Sequence, residues 1–371
     1  MRFRPLLWVL FAGLCACGRI GFSGSAAGDG GGGSDADPGG DPDAMPGDPT
    51  ALACDVAFEL LDIPEPKYWF GAGPFGVVVA TKADGADTME VTRFSQQGAV
   101  LNQAGQVELA IGAGLFQPFV TAVDGGWLVG ATDNNQDARV VALTGGLSIR
   151  AQRDTPYAVW NLATRSDHAM AAVAVGLQLQ AAELDALGND MITPVDIEMP
   201  QWEEPFVGEN QNAIIVIHSH AGGTASCNVT QEYDDDHVTV VEDYGMVGMP
   251  CQQLAIARNH TIGQSMAIEG RASGVVMTFV VPFDNTLATE SSLRTGNYPL
   301  IVESGDHYAI TWENAVGGLS AAGLSSTQTT LAAERTITPT FDDGRLDNMS
   351  RDVPVMIWLD GRTLFAERLC L

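Results

Sequence analysis

From about residue 55 to the C-terminus, short apolar or alternating runs follow one another, separated by Gly, Asp, Asn and Ser. Gly76-Val77-Val78-Val79-Ala80-Thr81 is one such run, and in the next Met89, Val91 and Arg93 alternate with Thr88, Glu90 and Thr92. Tyr308, Ile310 and Trp312 share one face of a segment whose other face carries Ala309, Thr311 and Glu313. A period of two over short segments predicts β-strands, because successive side chains point to opposite faces. Helical periodicity over ten or more residues is missing, so the folded region is expected to be all-β.

The runs also recur. Strong strand cores begin near Val77, Trp127, Ala169, Ala213, Val275, Tyr308 and Val355. They lie about 46 residues apart on average, with one short gap and one long. Polar turns precede several of them: Asp124-Gly125-Gly126, Ser166-Asp167-His168, Glu209-Asn210-Gln211-Asn212 and Ser304-Gly305-Asp306-His307. A second strand and a Gly-ending turn follow several more, as in Phe94-Ser95-Gln96-Gln97-Gly98, Leu143-Thr144-Gly145-Gly146 and Leu184-Asp185-Ala186-Leu187-Gly188. A repeat of that length holding about four strands predicts a β-propeller of six or seven four-stranded antiparallel blades over residues 51–371. The alternative is a pair of β-sandwiches.

The N-terminus follows other rules. Arg2 and Arg4 precede an apolar run, Pro5 to Gly13, and then Leu14-Cys15-Ala16-Cys17. The run is too short for a permanent membrane span, which needs about 20 residues, and reads as a secretory signal. Leu14-Cys15-Ala16-Cys17 resembles the lipobox of bacterial lipoproteins, in which cleavage precedes a cysteine whose sulfur carries diacylglycerol. The resemblance covers residues 1–17 and implies that 1–16 are removed and that Cys17 is lipidated. Gly18 stands where an inner-membrane retention signal would place Asp, which favours the outer membrane. Residues 17–50, with Gly30-Gly31-Gly32-Gly33-Ser34 and Asp35-Ala36-Asp37-Pro38-Gly39-Gly40-Asp41-Pro42-Asp43, have little to bury and read as a flexible tether. The downstream repeats resemble those of bacterial lipobox-bearing propeller lipoproteins, a resemblance that implies fold and not activity.

The formal charge is −28, and losing Arg2 and Arg4 would make it −30. Such a chain repels nucleic acid and anionic headgroups, so neither is expected as a partner. Lys67 and Lys82 are the only lysines among 18 basic residues. With Cys15 and Cys17 set aside, Cys54, Cys227, Cys251 and Cys370 remain, an even number that suits disulfides in an oxidising compartment. Four cysteines allow three pairings. Cys227 with Cys251 as a local bridge and Cys54 with Cys370 as a bond joining the domain ends is the favoured one. No Cys-x-x-Cys pair suggests zinc.

Candidate chemistry is sparse. Asp133-Asn134-Asn135-Gln136-Asp137 places oxygen ligands at Asp133, Asn135 and Asp137, the alternation of a calcium loop, without the glycine and glutamate of an EF-hand. A solvated hairpin tip is the simpler reading, as it is for Tyr233-Asp234-Asp235-Asp236 and Phe341-Asp342-Asp343-Gly344. His218 and His220 follow an apolar strand at alternate positions and can share a metal, with Asp236 or His237 as a third ligand. Trp69, Trp127, Trp160, Trp312 and Trp358 read as blade packing, while Trp202 in a loop is a candidate for stacking on a sugar or peptide. No sialidase Asp box, quinoprotein repeat or Gly-x-Ser-x-Gly elbow occurs in the folded region, so no catalytic residues are assigned. The expectation is an exported, lipid-anchored envelope protein acting as a non-enzymatic binding or scaffolding module, with a protein or glycan ligand. The alternatives are a carbohydrate-active hydrolase with carboxylates in the propeller funnel and a calcium-dependent adhesin.

Overall fold

In a computed structural model the chain is described from Cys54 to Leu371, apart from residues 64–66, 84–85, 95–105, 111–116, 133–136, 166–167, 176–177, 192–194, 198–205, 211–212, 221–225, 234–238, 241–250, 272–273, 282–291 and 332. The described residues form 27 strands and no helix.

The chain enters through β1 (Phe58–Asp62). The first blade is β2 to β5 (Lys67–Gly73, Gly76–Lys82, Thr88–Phe94, Gln106–Ala110), and the second β6 to β9 (Gln117–Val123, Gly126–Thr132, Ala138–Thr144, Ile149–Thr155). The third is β10 to β13 (Ala158–Arg165, His168–Val175, Gln178–Leu184, Val195–Ile197), and the fourth β14 to β17 (Phe206–Asn210, Ala213–His220, Ser226–Tyr233, Thr239–Val240). A seven-stranded sheet follows, β18 to β24 (Cys251–Asn259, Gln264–Arg271, Val275–Val281, Ser292–Ser304, His307–Asn314, Leu319–Leu324, Arg335–Thr338). The last sheet is β25 to β27 (Asp343–Ser350, Val353–Asp360, Thr363–Arg368), completed by β1 on the outer edge of β27.

This is the β-propeller expected from the repeats, and the sheet count shows where it departs from them. Five blades stand as separate four-stranded sheets, and the seven-stranded sheet joins two more through β21. Ser292 to Thr295 pair with β20, and Gly296 to Ser304 pair with β22. The register breaks between Asn297 and Leu300, where Tyr298 has φ 47° and Pro299 cannot donate to the ladder. One uninterrupted strand thus serves as the outer strand of one blade and the inner strand of the next. Seven inner strands result: β2, β6, β10, β14, β18, the second half of β21, and β25. Each touches the next, and β25 touches β2 to close the ring.

The uneven spacing of the strand cores also has a cause. Six of the seven expected cores fall on the second strand of a blade, but Val275 opens β20, the third strand of its blade. The second strand there is β19, whose Gln264-Ser265-Met266-Ala267-Ile268-Glu269-Gly270-Arg271 is far less apolar than Val275-Val276-Met277-Thr278-Phe279-Val280-Val281. With β19 in its place, successive second strands start 42–51 residues apart.

Alternation explains why many strands are apolar on both faces. Val77 and Val79 of β3 pack with Val355 and Ile357 of the last blade, while Val78 and Ala80 pack with the second blade. Met356 and Trp358 of β26 turn the other way, into the cluster around Tyr308 and Trp312. A blade in mid-ring has a neighbour on each face, so both sets of side chains are buried. Trp69, Trp127, Trp312 and Trp358 are all buried in these interfaces.

Candidate functional site

The first strand of each blade has hydrogen-bonding partners on one side only, so its other edge presents N–H and C=O groups to the axis. Side chains from neighbouring blades occupy those groups. Arg345 on β25 donates through Nη1 to the carbonyl oxygens of Phe70 on β2 (3.1 Å) and Val120 on β6 (3.2 Å). Its Nε lies 3.1 Å from Asp347 Oδ2, an ion contact off the direction of a hydrogen bond, and its guanidinium sits 5.8 Å from the centre of the Trp69 ring. Asp347 Oδ2 in turn accepts from the Ala72 backbone N–H at 3.0 Å. Both side chains are almost wholly buried. Gly71 leaves the room for this, since a Cβ there would stand 3.3 Å from Asp347 Oδ2.

The same device recurs around the ring. Thr164 donates to Ala122 O, Asn348 donates to Glu303 O, and Thr132 both donates to Val159 O and accepts from Val159 N–H. At the fifth and sixth blades the Glu303 carboxylate accepts from the His260 backbone N–H at 2.9 Å and contacts His260 Nδ1 at 3.2 Å. Asn259 Nδ2 donates to the carbonyls of Gly305 and His307. Burial, with Glu303 beside it, pushes the Tyr308 hydroxyl above its ordinary range.

Arginines also tie the first, second, fifth and sixth blades each to the one after it. Arg93 of the first blade donates to Gly145 O of the second. Arg153 of the second reaches Asp190 of the third at 2.6 Å, where Tyr157 also donates to Asp190. Arg294 pairs with Glu334 at 2.8 Å and lies over Trp312 in the sixth blade. Arg335 of the sixth donates to Glu367 of the last and to Asp55, which precedes β1. A planar guanidinium serves two acceptors at once, which an ammonium point charge does less well, and this gives the scarcity of lysine a structural use.

Of the sequence candidates, Cys54 and Cys370 are joined, with Cα atoms 5.4 Å apart across 316 residues of chain. Asp55 seals the joint, its backbone N–H donating to Arg368 O and its carboxylate accepting from Cys370 N–H. Cys227 lies on β16 and Cys251 on β18, and the state of their thiols is outside the described side chains. His218 and His220 fall on β15, again with side chains outside the description. Asp137 is exposed just ahead of β8, while Asp133 and Asn135 lie outside the described residues, as do Cys17, Trp202, Asp236 and His237. Among the described residues no three His, Cys, Asp or Glu side chains converge as a metal site.

The acidic turn at Asp342 and Asp343 is not simply solvated. Asp342 accepts from the Gly361 N–H at 2.7 Å, and Asp343 accepts from the Tyr68 hydroxyl at 2.8 Å. The axial set of Arg345, Asp347, His260 and Glu303 was missed by sequence reasoning. Its signal is a pair of opposite charges two residues apart within an otherwise buried strand. Among the described residues two carboxyls are held above their ordinary range: Glu313 by burial, which a hydrogen bond from Asn297 only partly offsets, and Glu367 by burial, which Arg335 only partly offsets. They stand on second and third strands, not on inner strands facing the axis.

The sequence matches no protein-family model and no curated protein. Solved structures resemble it in fold. The Dos1 propeller aligns with a TM-score of 0.52 at 6% identity, covering 86% of this chain and 95% of that one. A chain of the mitotic checkpoint complex aligns with a TM-score of 0.54 at 10% identity, covering 86% and 92%. These likenesses place the chain in the β-propeller class and carry no activity with them.

Proposed function

We propose that this chain is a lipid-anchored, non-enzymatic binding or scaffolding module of the bacterial cell envelope, held at the outer membrane through Cys17, with an envelope protein or glycan as its ligand. The observation that carries the reading is the position of Cys54. It lies beside Arg368, at the end of the propeller where first strands turn into second strands and third into fourth. A tether joined there leaves the opposite end, which bears the connections between blades, facing away from the membrane. The axial carboxylates support binding over hydrolysis, because Asp347 and Glu303 are engaged by Arg345, Ala72 N–H and His260 within the fold. A retaining or inverting hydrolase needs a pair of carboxyl groups about 5–10 Å apart with one held protonated.

In-cell cross-linking of the tagged protein, followed by identification of what is captured, tests the proposal. The expected result is a discrete envelope protein or glycan whose capture is lost when residues of the outward end are substituted. Hydrolysis of a glycan by the purified protein would overturn it, as would retention of a Cys17→Ala chain in membranes.

A further inference from the structure

We infer that the Cys54–Cys370 disulfide is a load clamp: it carries tension from the N-terminal anchor past the closing strand β1 and into the doubly paired strand β27. The inference rests on the anchored reading above.

The argument begins with which strand is weakest. β1 is the outermost strand of the last blade and has a ladder on one side only, to β27. That ladder is short, pairing Phe58 with Ala366, Glu59 with Phe365, Leu61 with Leu364 and Asp62 with Thr363, and it is interrupted by a bulge between Glu59 and Leu61. Its side chains add the buried Leu60 and a hydrogen bond from Thr363 to Asp62. A pull on the chain ahead of β1 would meet these contacts one at a time, starting at Phe58. Losing β1 would strip the last blade of its N-terminal strand and leave β27 with a bare edge, the kind that invites pairing with another chain.

Cys54 stands between that pull and the ladder. It precedes β1, and its partner Cys370 lies two residues beyond the end of β27. β27 is flanked by β1 on one side and by six residue pairs with β26 on the other. Tension arriving at Cys54 therefore divides between the β1 backbone and the disulfide, and the second path ends on a strand that cannot be peeled without breaking two ladders. Asp55 spreads the load further. Its carboxylate accepts from Cys370 N–H at 3.1 Å and from Arg335 of the sixth blade at 2.6 Å, and Arg335 also holds Glu367 of β27. Three segments far apart in sequence thus meet where the tether joins the domain. A disulfide elsewhere between β1 and β27 would join the two ends of the domain equally well, but one placed after β1 would leave that strand in the line of force.

Single-molecule pulling on the chain from residue 17 tests this, with one handle on the N-terminus and the other on a click-reactive residue replacing the exposed Leu187 of the third blade. The oxidised protein is expected to show no extension step before the domain gives way. After reduction, a separate low-force step should appear, with a length of roughly 30 Å for the nine residues from Cys54 to Asp62. Cys54→Ser should show the same step in oxidising buffer, which excludes an effect of reduction at Cys227 or Cys251. A low-force step in the oxidised wild type, or its absence from both the reduced protein and Cys54→Ser, overturns the clamp. Membrane fractionation of Cys17→Ala reports on the anchor alone. Retention in the membrane overturns the anchored reading and the source of the load, whatever the pulling shows.

Discussion

Arg345, on the inner strand of the last blade, donates to the carbonyl of Val120, on the inner strand of the second blade, and so spans the first blade lying between them. Propeller blades meet chiefly through apolar faces, which fix spacing but do little for the edge groups of the inner strands. Those groups face inward, where an unpaired N–H or C=O costs about 1–3 kcal/mol. Arg345 and Asp347 serve Phe70 O, Val120 O and Ala72 N–H together.

Replacing Arg345 with Met should therefore lower stability by about 3–5 kcal/mol, because it removes the charge opposite the buried Asp347 carboxylate and frees two edge carbonyls at once. Arg345→Lys should recover only part of this, since an ammonium cannot lie flat on Trp69 while serving two carbonyls. Urea denaturation of the three proteins checks the ranking. A lysine variant as stable as wild type would show that charge alone is needed.

The Arg153–Asp190 tie should make the protein acid-sensitive. Burial works to raise the Asp190 carboxyl, but hydrogen bonds from Arg153 and Tyr157 and the Arg153 charge hold it below the ordinary aspartate value. A depressed folded pKa gives stability that is present above the unfolded value and lost as pH falls through the folded one. The advantage of wild type over Asp190→Asn should thus shrink as pH drops below about 4. Melting temperatures of both proteins from pH 7 to pH 3 would show the gap closing; a constant gap would count against the ion pair.

Glu367 should behave in the opposite sense. Burial raises its carboxyl, with Asp55 adding to the effect and Arg335 opposing it. Its contribution is full below the unfolded pKa and is lost as pH rises through the folded one. Relative to wild type, Glu367→Gln should therefore gain stability as pH rises above about 4. Arg335→Gln should extend that change to higher pH, because it removes the group that opposes burial. The same melting series, run on these two variants, reads out both signs.

How far these features can be read from sequence depends on whether the cause is local. The turn Asp124-Gly125-Gly126 is legible because Gly125, at φ 70°, needs the left-handed freedom of glycine. The closure by Cys54 and Cys370 is legible because a cysteine at each end of a folded region has few other uses. β19 is not, since its burial comes from neighbouring blades rather than from its own composition. The axial pair is not legible either. Alternation shows that Arg345 and Asp347 share a face, but only ring geometry makes that face look onto Phe70, some 275 residues away. For the same reason Asp343 reads as a wet turn, although it holds Tyr68 across the closing seam. Long-range pairing of polar groups leaves almost no local trace.

Gly130 offers a test of the packing within one blade. It pairs directly with Phe119 across β6 and β7, and the Phe119 ring lies over the space that a side chain would fill. A Cβ at this position would stand 2.5 Å from the ring and 1.9 Å from Arg139 O on the other neighbour. The ring can swing, but the carbonyl belongs to the β7–β8 sheet and cannot move without disturbing its ladder. Gly130→Ala should therefore cost about 1–3 kcal/mol, the usual range for overpacking a filled core. Adding Phe119→Leu should return only a fraction of the loss, because it relieves the ring contact and leaves the backbone one. Full rescue in the double variant, measured by equilibrium unfolding, would mean that the aromatic ring alone requires glycine there and that the backbone of the blade can yield.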